Sequence, residues 1–141
     1  MKLSLIISLG IISTSLNAQS IFGKWKTIDD NTGKVRSIVE IIRQDGKAYG
    51  RILKLYPEPG EDQDPICEEC TDSRKNKKVI GMTIITDMVK DDNEWEDGQI
   101  LDPENGKVYD CKLWVEKGQL KVRGYIAFFF RTQTWLPAKN E

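Results

Sequence analysis

Three cysteines, no histidine and several runs of carboxylates are the chemistry that this sequence offers. The absence of histidine excludes Ser-His and Cys-His catalytic pairs, and with them His-ligated zinc, copper or haem. Cys67-Glu68-Glu69-Cys70 has the Cys-x-x-Cys spacing, which admits three readings. Redox catalysis needs the first thiol at a helix N-terminus, where the dipole lowers its pKa. Here two glutamates intervene and would raise it. A zinc knuckle needs four ligands, and only Cys111 could add a third thiolate. The plain reading is a local disulfide between Cys67 and Cys70 in an oxidising compartment, with Cys111 left as a buried, inert thiol on the apolar face of a strand. Asp91-Asp92-Asn93-Glu94 and Glu61-Asp62-Gln63-Asp64 lack the glycine and terminal glutamate of an EF-hand loop. A carboxylate pair could serve hydrolysis, but nothing in the sequence selects one. The Gly-Lys pairs lack the earlier glycine of a P-loop and read as turns. No catalytic residue, metal site or cofactor is assigned.

Those residues must be held by something, and composition bounds what it is. The 141 residues suit one domain. Lys and Arg number 21 against 22 Asp and Glu, a formal net charge of −1. A nucleic-acid binder usually shows a basic excess, so no nucleic-acid partner is expected. Met1-Lys2 precedes an apolar run over residues 3–12, and residues 13–18 turn small and polar. This is the layout of a secretory signal peptide, and the run is shorter than the ~18 residues of a membrane span. Residues 1–18 are therefore expected to be a leader and residues 19–141 a single exported domain, periplasmic or extracellular. No transmembrane segment is expected in the mature chain. With no cysteine near the cut, no lipid anchor is expected either. A protein partner is not assigned.

The rest of the chain reads as β. Asp45-Gly46 lies between two β-branched runs, residues 35–42 and 47–55, and is a strong hairpin signal. Asp97-Gly98 and Asn105-Gly106 bracket residues 99–103 as further turn signals. Residues 107–116 form a strand with Tyr109, Cys111, Leu113 and Val115 on one face. Lys117-Gly118 turns the chain into residues 119–128, where Leu120, Val122, Gly124, Ile126 and Phe128 share a face. A last strand is expected over residues 131–136. Residues 79–89 read as a strand in preference to a short helix. Turn signals about every dozen residues suggest a sandwich or an up-and-down barrel. Residues 56–78 have no periodicity, with an acidic run followed by a basic one. A loop of that length is usually functional or tied down.

Two resemblances follow from particular residues. Gly23-Lys24-Trp25 resembles the Gly-x-Trp start of lipocalins, in which a late-strand arginine packs across the tryptophan. Arg131 is the candidate here and Arg123 the second choice, so Trp25 and Arg131 are expected to close the barrel. Residues 21–25, Asp64-Pro65-Ile66-Cys67 with Cys70, residues 80–84, Ile100-Leu101-Asp102-Pro103 with Asn105-Gly106-Lys107 and Tyr109, residues 122–126 and residues 131–135 together resemble the exported bacterial family called domain of unknown function 2147. That resemblance implies export and a lipocalin-like β-barrel, and no catalytic residues. The chain departs from the family at Phe129-Phe130, where a glycine is expected.

The resulting expectation is an all-β fold: a single small antiparallel up-and-down β-barrel, lipocalin-like, of about eight strands, with one long disulfide-pinned loop. The expected function is binding of a small apolar ligand in or at the mouth of the barrel, by Tyr109, Leu113, Trp114, Ile126 and Phe128. The alternative is a structural or interaction protein of the cell envelope with a side-chain-filled barrel. A carboxylate hydrolase is the third reading.

Overall fold

The computed structural model describes residues 10–11 and 19–139. The expected leader, residues 1–18, lies outside the described residues apart from Gly10 and Ile11. Eight strands follow in order: β1 (Gly23–Ile28), β2 (Val35–Gln44), β3 (Lys47–Leu55), β4 (Thr83–Asp91), β5 (Glu94–Leu101), β6 (Val108–Glu116), β7 (Gln119–Ile126) and β8 (Phe129–Pro137). Each pairs antiparallel with the next, and β1 pairs with β8, so the sheet closes into an up-and-down barrel. Full closure leaves no open sheet edge.

Local sequence explains the connections. Asp45 and Gly46 both take positive φ, 50° and 78°, as do Lys117 and Gly118 at 51° and 76°. That is the requirement of a type I′ two-residue hairpin. Asp92 (φ 56°) opens the β4–β5 turn, which the sequence showed only as a carboxylate cluster. Asp97-Gly98 is not a turn. It lies inside β5, where the pairing with β6 shifts between Trp95 and Gly98, and Asp97 takes φ 63°. The dipeptide that makes one hairpin makes a bulge here. Residues 79–82 belong to the long connection and β4 starts only at Thr83.

The alternation of each strand sorts its side chains. Val39, Ile41, Met88, Leu113 and Leu120 are fully buried inside the barrel, beside Trp25 and Trp95. Glu40, Arg51, Lys112, Lys121 and Arg123 alternate to the outside, which therefore differs from the apolar outer band of a membrane barrel.

The two ends of the barrel are built differently. At one end the chain before β1 folds inward. Ile21 is buried, and the Trp25 indole Nε1 donates to the Ile21 carbonyl at 2.8 Å. Phe22 meets Trp95 edge to face, with ring centroids 5.3 Å apart. The Arg43 guanidinium lies over both rings, at 4.9 and 5.4 Å. This end is plugged. At the other end lie the β1–β2, β3–β4, β5–β6 and β7–β8 connections, and it is open.

The long connection, residues 56–82, is tied down as expected. A disulfide joins Cys67 and Cys70, and both sulfurs are buried. The Cys67 amide donates to the Lys77 carbonyl and the Asn76 amide returns to the Cys67 carbonyl, each at 2.8 Å. Arg74 donates to the Thr83 carbonyl at 3.0 Å, pinning the basic half of the loop to β4. It also pairs with Asp72 and holds that carboxyl at about 2.

Candidate functional site

Above the packed half of the barrel lies a cavity of about 850 Å³ that opens between the four connections. Its size falls within the range of small-molecule sites, roughly 300–1,000 Å³. Residues of six strands build its apolar wall: Ile52 from β3, Ile84 from β4, Ile100 and Leu101 from β5, Tyr109 from β6, Val122 and Gly124 from β7, and Trp135 from β8. Period-two alternation turns Ile52, Ile100, Tyr109, Val122, Gly124 and Trp135 inward, while Ile84 and Leu101 are out of that phase and join the wall at the β3–β4 register shift and at the end of β5. Gly124 adds no side chain to the wall; a Cβ there would reach ordinary contact with the Tyr109 Cβ at 3.4 Å, and anything larger would extend past it.

Polar groups reach the cavity along two routes. On β8 the Trp135 Nε1 donates to the Gln133 side chain at 3.1 Å. Gln133 Nε2 in turn donates to Asp30 at 3.3 Å, and Asp30 is ion-paired with Arg131. This chain of contacts climbs from the wall to the rim. Across β1 and β2 the Thr27 and Ser37 hydroxyls share a 2.6 Å hydrogen bond. At the rim, Arg36 grips Glu61 through two nitrogens, at 2.9 and 3.2 Å, and reaches Glu104 at 3.6 Å. It joins the β3–β4 and β5–β6 connections. The Arg36 guanidinium holds the Glu61 carboxyl below the usual carboxylate range. Asp29 is lowered as well, because its carboxylate accepts the Thr32 and Asn31 amides. The rim is therefore charged and the wall mainly apolar. That arrangement suits an apolar body with a polar end at the mouth.

The residues expected at the site fall in three places. Tyr109 lines the cavity. Leu113 faces inward but lies in the packed half, fully buried and away from the cavity wall. Trp114 alternates to the outside of the barrel, where the Arg123 guanidinium covers its ring at 4.9 Å. Ile126 and Phe128 stand at and beyond the end of β7, exposed and away from the cavity wall, because β7 has already passed the mouth there. Sequence reasoning missed Arg36, Ile52, Ile84, Gln133 and Trp135. Inward parity was a usable signal for Ile52 and Trp135. Arg36 and Gln133 carried none.

Barrel closure is corrected too. Trp25 sits opposite Pro137, at the plugged end. Arg131 pairs with Gly124 near the open end and binds Asp30. Six residues of strand separate Arg131 from Pro137, about 20 Å. First and last strands are neighbours but antiparallel, so their starts lie at opposite ends. Arg123 stacks on Trp114 and Phe130 instead. The arginine at the plugged end is Arg43.

Residues 23–136 match the family described as "Uncharacterized protein conserved in bacteria (DUF2147)". Among solved structures the chain is similar to protein HP1028 of Helicobacter pylori, itself described as belonging to the lipocalin family. The two share 16% identity at a TM-score of 0.71, over 86% of this chain and 84% of that one. At that identity the likeness concerns the fold. No curated protein matches the sequence significantly.

Proposed function

We propose that this chain, which belongs to the bacterial family DUF2147, is exported and binds a small, largely apolar molecule in the open end of its barrel. The observation that carries the reading is the cavity of about 850 Å³ with an apolar wall and a charged rim. A barrel filled with side chains, acting only as an envelope scaffold, would not need it. The apolar run near the N-terminus and the Cys67–Cys70 disulfide both suit an oxidising compartment outside the cytoplasm.

Native mass spectrometry of the protein isolated from its own cells tests both parts. The expected mass lacks residues 1–18 and carries an added small molecule that is lost on unfolding. An apolar fluorophore, N-phenyl-1-naphthylamine, tests the cavity directly. Gly124→Leu pushes bulk toward Tyr109 and Ile100, which lie 3.4 to 4.0 Å from the new Cβ. It should weaken the fluorophore about tenfold, which is 1.4 kcal/mol. Equal binding by wild type and variant would remove the cavity from the function.

A further inference from the structure

The β7–β8 hairpin has a feature that the cavity does not use. Phe128 is 98% exposed, Phe129 79%, Phe130 60% and Ile126 50%. From Ile126 to Phe130 no side chain is polar. None of these residues lines the cavity. The turn places Ala127 at φ 51°, a region that a non-glycine residue enters at a cost. One large apolar side chain, Phe128, thus stands on the two-residue turn, and three more, Ile126, Phe129 and Phe130, stand at the strand ends that flank it. Patches of this kind mark interaction sites rather than scattered surface residues.

We propose that this tip docks the barrel onto an anionic lipid bilayer. The shape and surroundings of the tip select that partner. It is the exposed end of a hairpin and lines neither the barrel cavity nor the smaller pocket along the long connection, so it offers no groove to a peptide. Directly behind it, on the outer face, stands Tyr125, the cross-strand partner of Phe130, while Trp114 lies further from the tip, opposite Lys121. Tyr125 carries an apolar body and a polar tip, a residue type that settles at headgroup level. Tyr125 packs beside Phe130 with ring centroids 6.0 Å apart. Among them is Arg123, whose guanidinium lies 4.5 Å from the Phe130 ring centre and 4.9 Å from that of Trp114. Lys121, two residues further along β7, donates to Thr134 on β8. From the apolar tip, the Tyr125–Phe130 pair, then Arg123, then Lys121 follow one another along the outer face of β7 and β8. Lipid acyl chains, headgroups and phosphates have the same order in depth. The acidic connection, residues 56–82, joins β3 to β4 and lies across the mouth from β7–β8 in the closed strand order. The barrel can therefore meet the surface by one edge of its mouth without pressing those carboxylates on anionic lipid. This docking stands whether or not the cavity carries a ligand.

Flotation with vesicles provides the test, using the chain from Gln19 onward, which contains the whole closed barrel. Wild type should float with vesicles of phosphatidylethanolamine and phosphatidylglycerol, and less with phosphatidylcholine alone. Phe128→Asp with Phe129→Asp should lower the bound fraction about tenfold or more, since it removes buried apolar area and adds charge. The milder Phe128→Ser should lower it less. Arg123→Gln with Lys121→Gln should lower binding several-fold on the anionic vesicles only, and added salt should do the same. Failure of wild type to float overturns the proposal. So does unchanged flotation of the double Asp variant. Sedimentation without lipid is the control for self-association. A wild-type dimer that the Asp variant dissolves would make the tip a contact between copies and overturn the lipid reading.

Discussion

The Cys111 thiol is enclosed by the barrel, 4% exposed, and burial pushes its pKa up from 9.0 to about 12. A thiol is neutral when protonated, so the native state favours the protonated form. Below about pH 9 both states hold the proton and the group adds no slope. Between 9 and 12 the native state binds more protons than the unfolded state, so stability falls as pH rises. Cys111→Ala should flatten that alkaline slope in urea titrations, and iodoacetamide should label Cys111 only after unfolding. Rapid labelling of native protein would contradict the burial. The same residue shows what single positions reveal in a sequence. Cys111 alternates with Leu113 and Tyr109, so its inward direction was legible. The roles of the two arginines were not. Arg131 and Arg43 are alike as residues, and what separates them is the end of the barrel each reaches. Arg43 lies near the end of β2, beside the start of β1, and so reaches Phe22 and Trp95. That depends on strand direction, which no motif around either residue encodes.

At the scale of elements, two glycines differ in what fixes them. Gly106, in the β5–β6 connection, has φ 72°, and a Cβ there would meet the Glu69 carbonyl oxygen at 2.0 Å and the Cys70 amide at 2.9 Å. It is where the disulfide loop seats against the barrel. The Cys67 sulfur lies 3.5 Å from the Pro103 carbonyl in the same contact. Gly106→Ala combines backbone strain with a collision against backbone, and should cost about 3 kcal/mol or more. It should also loosen the Cys67–Cys70 loop to proteolysis. Gly98 has no positive φ, but its Cβ would meet the Thr86 carbonyl oxygen at 2.3 Å and the flexible Met88 sulfur at 2.4 Å. Gly98→Ala should also cost about 3 kcal/mol, since the Met88 sulfur can move but the Thr86 carbonyl oxygen and the Met88 amide nitrogen, at 2.8 Å, are backbone, and it should leave the loop intact. A loss of loop protection in the Gly98 variant but not in the Gly106 variant would reverse the assignment. These positions also mark the limit of turn signals. Asp45-Gly46 sits between two runs that pair with each other, so the hairpin was readable. Asp97-Gly98 has the same letters, but its strand continues past it to reach β6, and only the register shows a bulge. The Asp92-Asn93 turn hid among carboxylates for the same reason: composition named the chemistry, and pairing assigned the geometry.

The whole barrel divides into a packed half and a hollow half, and this division was the least legible property. Strand count, turn spacing and inward parity are the same for a filled barrel and for one that holds a cavity. Leu113 and Val122 read alike in the sequence and are direct cross-strand partners, yet only Val122 lines the cavity. The distinction has an energetic consequence. Leu113 is fully buried among side chains, so Leu113→Ala removes apolar contact and leaves an unfilled hole. Both terms add, and the expected loss is about 3–5 kcal/mol. Ile84 is nearly as buried, at 6%, but it borders the cavity. Ile84→Ala enlarges space that already exists and creates no new hole, so the second term largely drops out. Its expected cost is about 1–2 kcal/mol, less than the usual range for an Ile-to-Ala change in a filled core. Urea denaturation of a domain this size gives both values from shifts in midpoint at constant slope. The apolar fluorophore should separate the two variants in the opposite direction. Leu113→Ala should leave its affinity unchanged, whereas Ile84→Ala should alter it. If the two substitutions cost the same and neither changes fluorophore binding, the open end behaves as ordinary core. The plugged end would then have no special share in holding the barrel together.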